Sequence, residues 1–128
     1  MSYDFTTSLN ISFDEAVARV TEELTKEGFG ILTEIDVQKT LKKKLDVDFR
    51  RYLILGACNP TFAYKALQAE EKIGLMLPCN VLVQEAVNGA IDVSAVDPIA
   101  SMAAVDNPAL GDIATQVRDK LKSVINSL

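Results

Sequence analysis

The chain has 128 residues, 48% of them apolar and 24% charged, with a net charge of −5 and no histidine. That length and balance fit one domain with a single core and exclude a disordered chain. The missing histidine excludes Ser-His-Asp and Cys-His nucleophiles, a histidine general base and a histidine metal ligand, and the acidic balance disfavours bulk electrostatic binding of nucleic acid.

No apolar run approaches the length of a membrane span, and MSYDFTTSLN carries Asp4 without a signal-peptide core. The expectation is a single cytoplasmic domain over residues 1–128, with both cysteines as free thiols.

Tyr3, Phe5, Thr7 and Leu9 alternate with Asp4, Thr6 and Ser8, which predicts a half-buried strand. Ser12 followed by Glu15 forms a capping box, with Ile11 placed to pack on Ala16. Phe13, Ala16, Val17, Val20 and Leu24 make the apolar stripe of the helix that follows, and Gly28 ends it. Gly28-Phe29-Gly30 lies between a helix and a strand, the reverse of the order a dinucleotide loop needs, so it reads as a helix stop. Ile31, Thr33, Ile35 and Val37 alternate with Leu32, Glu34 and Asp36 as a second strand, and residues 38–45 form a short helix or turn.

Six of the 13 basic residues fall between positions 39 and 51: Lys39, Lys42, Lys43, Lys44, Arg50 and Arg51. Such a run suits either an anion site or a solvated connector. No aromatic residue interleaves the lysines, which removes the stacking surface that single-stranded nucleic acid needs, and the connector is preferred.

Tyr52 to Cys58 is apolar on both faces, which predicts an interior strand covered on both sides. Asn59 is a favourable cap and Pro60 suits the first helical position, so a helix runs from Thr61 to about Glu71. Lys72 to Leu77 returns to the sheet. Val81 to Ala86 is the next strand, and Asn88-Gly89 predicts a two-residue hairpin with positive φ at both positions. Ile91, Val93 and Ala95 mark its partner. Asp97-Pro98 and Asn107-Pro108 each start a helix, the last buried through Leu110, Ile113, Ala114, Val117, Leu121, Val124 and Ile125.

This order predicts an α+β fold, with helices on one face of a mostly antiparallel sheet. The other face carries the outward apolar residues of the Tyr52–Cys58 strand. A second copy of the chain is the simplest cover, so a homodimer is expected.

Leu55-Gly56-Ala57-Cys58-Asn59-Pro60, Leu77-Pro78-Cys79-Asn80-Val81, Asp97-Pro98 and Glu27-Gly28-Phe29-Gly30 together resemble the family catalogued as domain of unknown function 302. The resemblance covers nearly the whole chain. It implies a β-α-β(4)-α topology similar to one half of the TATA-binding-protein arrangement, a dimer, and no established biochemical activity. The fold analogy carries no inference of DNA binding. The cysteine pair marks a subgroup of that family.

Cys58 precedes a helix N-terminus, where dipole and free N–H groups are expected to stabilise a thiolate and lower its pKa from about 8.5. Cys79 precedes the following strand. If the two strands are antiparallel neighbours, both sulfurs lie at one sheet edge. The candidate ligand site is therefore the 56–60/77–80 edge, with Cys58, Asn59, Pro60, Pro78, Cys79 and Asn80. Three readings stay open for the cysteines: small buried hydrophobes, a redox or ligand-reactive thiol pair, or a soft-metal site for Cu(I) or Zn with Met76 nearby. The C-x20-C spacing is no recognised metal pattern, and closed zinc sites need four ligands. Glu34, Asp36 and Asp92 read as the wet face or rim of the sheet, though an acid–base pair is conceivable. The preferred reading is a homodimeric binding or interaction module with an unidentified small-molecule ligand, no cofactor and no catalytic constellation. The alternative is a thiol-dependent redox or soft-metal-handling protein using Cys58 and Cys79.

Overall fold

The structure is a computed structural model and describes residues 2–128. Its elements are β1 (Asp4–Leu9), α1 (Phe13–Lys26), β2 (Gly30–Asp36), α2 (Val37–Leu45), β3 (Tyr52–Cys58), α3 (Pro60–Ala69), a 3₁₀ turn (Ile73–Met76), β4 (Cys79–Glu85), β5 (Ile91–Val96), α4 (Pro98–Ser101) and α5 (Ala109–Asn126). The strands form one sheet in the order β1-β5-β4-β3-β2, and every neighbouring pair is antiparallel. The expected α+β architecture is present, with β4 at the centre and β3 beside it.

Alternation decides which side of the sheet is dry. Leu55, Val81, Ala95 and Phe5 lie in one register row, and Leu53, Val83, Val93 and Thr7 in the next. Cross-strand partners share a face, so these rows build one apolar surface. α1 and α5 lie across it and supply Ala16, Val20, Leu24, Leu121, Val124 and Ile125 to the core. Each fully buried leucine or valine there contributes roughly 1.5–3 kcal/mol. A second cluster (Ala66, Ile73, Met102, Leu110 and Ala114) joins α3, the 3₁₀ turn, the end of α4 and the start of α5.

The helix ends follow the local chemistry of the sequence. Ser12 Oγ accepts the Glu15 N–H at 3.1 Å and starts α1. At the other end Gly28 N–H donates to Thr25 O and Phe29 N–H to Leu24 O, with Gly28 at a φ of +86°. That is a Schellman stop, closed by contact between two buried residues, Leu24 and Phe29. Asp97 Oδ1 accepts the Ile99 N–H and Asn107 Oδ1 the Ala109 N–H, so both Asx-Pro pairs open helices. No helix among the described residues is long and apolar enough to cross a membrane.

Three local expectations are corrected. β2 does not alternate regularly, because its register slips between Ile31 and Thr33 and leaves Leu32 as a bulge. Ile31 faces the helices, Ile35 faces away, and Val37 belongs to α2 rather than the strand. The Asn88-Gly89 hairpin is not a two-residue turn with two positive φ values, since Asp46 is the only described non-glycine residue with positive φ. Gly89 N–H donates to Ala86 O and Ala86 N–H to Ala90 O, with Gly89 alone at +85°, giving a three-residue loop with a glycine bulge. Within the single chain β3 is covered by helices on one side only. Ile35, Ile54, Leu82, Ser94 and Thr6 form one register row on the face away from α1 and α5, with Ile54 and Leu82 half-buried and Ile35 48% exposed.

Candidate functional site

Antiparallel pairing of β3 and β4 brings the two motifs together. Ala57 lies opposite Cys79 and Gly56 opposite Asn80, so the end of one strand and the start of the next share a sheet edge. The glycine is needed for this approach. A Cβ at Gly56 would lie on Thr33 Oγ1 and 2.8 Å from Pro78 Cγ. Asn59 does not cap α3 with its side chain; its amide instead donates to Glu27 O at 3.3 Å, tying the motif to the end of α1. Gly28 sits beneath that amide, where a Cβ would meet Asn59 Nδ2 at 3.1 Å. The two glycine motifs and the two Pro-containing motifs thus form one junction.

Behind the junction is an apolar cavity of about 30 Å³, lined by both cysteines. β3 and its exit supply Ala57, Cys58 and Asn59, while the β4 entrance supplies Leu77, Pro78 and Cys79. Phe29, Phe62, Met102 and Val117 close the walls from four other segments. Of the expected site residues, Cys58, Asn59, Pro78 and Cys79 meet here. Pro60 and Asn80 are not in the lining; Asn80 borders a separate depression with Met76 and Leu77. Met76 is therefore not the neighbouring thioether. Met102 is, and it is 9% exposed. Sequence reasoning missed Met102, Phe29 and Val117 as wall residues, because the segments that carry them are far away along the chain.

The electrostatics reverse the expected thiolate stabilisation. Burial pushes the Cys58 thiol up, not down. Cys79 is pushed up to about 11, first by burial and then by the charge of a neighbouring Cys58 thiolate. Loss of water around the sulfurs outweighs the dipole of the ten-residue α3, so both are neutral thiols at pH 7. This arrangement weakens a nucleophile and leaves two soft donors beside an apolar pocket.

Other candidates separate in space. Glu34 and Asp36 pair with Leu55 and Leu53 on the helix-bearing side, whereas Asp92 pairs with Gln84 on the opposite face. Asp92 is thereby separated from the other two, while Glu34 and Asp36 share one face and border a depression with Arg51. Among the basic residues, Lys42 contacts Asp46 and Asp48, Arg51 contacts Asp14 and stacks on Phe13, and Arg50 binds Gln84 Oε1 and lies over Phe49 and Tyr52. Half of the cluster is engaged within the chain, in keeping with a connector. Among the described residues no three of histidine, cysteine, aspartate or glutamate group to hold a metal.

The family model for domain of unknown function DUF302 matches residues 5–128. The crystal structure of the uncharacterized conserved protein DUF302 from Bacillus stearothermophilus is similar at a TM-score of 0.91 and 28% identity, covering 98% of each chain. No curated protein matches.

Proposed function

The chain belongs to the DUF302 family, whose description names no activity, and from that premise we propose that it is a small binding module with its ligand site in the sulfur-lined cavity. The observation that carries this reading is the convergence of two separate motifs, through Cys58 and Cys79, on one apolar cavity. A cavity of about 30 Å³ suits an occupant of one or a few heavy atoms rather than an extended cofactor. The raised thiol pKa values disfavour thiol redox chemistry, because the nucleophilic form is scarce at neutral pH. The module is a homodimer, covering the row that contains Ile35, Ile54 and Leu82 with its own copy, and it works in the reducing cytoplasm, where both thiols stay free.

Xenon tests the site, since dry apolar cavities take it up without any polar partner. In methyl-resolved NMR of the reduced protein under xenon pressure, Ala57, Ala63, Met102 and Val117 should shift in a saturable manner. Ala63→Leu, which fills the cavity from α3, should remove the effect. Unsaturable shifts scattered over the surface would refute the reading.

A further inference from the structure

We propose that the cavity holds one monovalent soft metal ion of the Cu(I) type, bound by Cys58 Sγ, Cys79 Sγ and Met102 Sδ; this rests on the reading of the cavity as the binding site.

The chain has five sulfur atoms, in two cysteines and three methionines. The residues that carry three of them line one cavity, delivered by the end of β3, the start of β4 and the residue that ends α4. No carboxylate lines that cavity, and its single polar side chain, Asn59, already donates its amide to Glu27 O. The donor set therefore consists of thiols and a thioether. Hard cations such as Mg²⁺ and Ca²⁺ require six or more oxygen ligands, and the side chains here offer at most the Asn59 carboxamide oxygen. Tetrahedral zinc requires a fourth protein ligand, which the lining does not supply. Cu(I) is matched by thiolate and thioether and is stable with two or three donors.

Size points the same way. About 30 Å³ admits a single ion but not an ion carrying a chelator or an extended ligand. The segments are also held from behind. Met102 belongs to the cluster with Ala66, Ile73, Leu110 and Ala114, and Cys79 to the main core. An ion bridging them would tie the α4 end to the sheet edge. Binding involves no redox change. Each thiol releases one proton to solvent as its Sγ–metal bond forms, and the thioether donates a lone pair. The resulting complex carries one net negative charge, which the positive end of α3, starting at Pro60, partly offsets.

The test uses the reduced full chain without oxygen, titrated with Cu(I) against the chelator bicinchoninate. The expected result is one ion withdrawn per chain, with X-ray absorption showing three sulfur neighbours and no nitrogen or oxygen in the first sphere. Met102→Leu, close to isosteric, should keep the fold and weaken binding by about tenfold or more. Cys58→Ser and Cys79→Ser should abolish the three-sulfur signature, with folding checked by circular dichroism. Failure of folded protein to withdraw Cu(I), or unchanged affinity in Met102→Leu, would overturn the assignment. If copper fails while xenon still saturates the cavity, the metal assignment falls and the binding site stands; if both fail, both fall.

Discussion

At Cys58 and Cys79 the surroundings decide the chemistry more than the residue type does. Both thiols are harder to ionise in the fold than in the unfolded chain, where the ordinary value is about 9. A raised acid pKa stabilises the fold fully below the unfolded value, and that contribution is lost as pH climbs through the folded one. Unfolding free energy should therefore fall between about pH 9 and 11 with a slope of up to about 1.4 kcal/mol per pH unit from Cys79. Urea titrations of wild type and Cys79→Ala across that range isolate the effect from tyrosine and lysine titration. The variant should be flatter; equal slopes would contradict a buried thiol. At pH 7, iodoacetamide should label neither cysteine appreciably until the protein is unfolded. That Cys58, Asn59, Pro78 and Cys79 meet at one cavity was legible because the motifs around the two prolines mark where elements begin. The direction of the thiol shift was not legible, because burial comes from α4 and α5, which the local sequence does not show. Met102 was hidden for the same reason.

At the scale of elements, the α1 stop, the β3–α3 junction and the Asx-Pro starts all follow from residues within a few positions of each other. The bulge at Leu32 does not. It exists because β2 must meet β3 in a register set across the sheet, and the same long-range pairing overrides the Asn88-Gly89 turn preference. Gly56 shows how tightly β2, β3 and the β4 entrance approach. Gly56→Ala forces a methyl group against Thr33 and Pro78, and should lower stability by about 1–3 kcal/mol in urea with an unchanged m-value. A wild-type midpoint in that variant would mean that the three segments are not in contact.

For the whole molecule, the α+β class was legible because strand alternation and the long helical stripes name the two layers directly. Within the chain α1 and α5 pack on only one face of the sheet. The row containing Ile35, Ile54 and Leu82 leads to a specific expectation. Light scattering at micromolar concentration should give twice the 13.9 kDa chain mass, and Leu82→Lys should give the single-chain mass without loss of helical signal. A single-chain mass for the wild type would remove the dimer. The proposed site requires the sheet to bring two cysteines, 21 positions apart in the chain, to one cavity. Mercuric ion, a soft cation that binds two thiolates in line, measures this directly. Titration of the reduced native protein, followed by the ultraviolet sulfur-to-mercury band, should reach its endpoint at one ion per chain with both thiols consumed. An endpoint at two ions per chain, each thiol taking its own, would show that the sulfurs do not share a site.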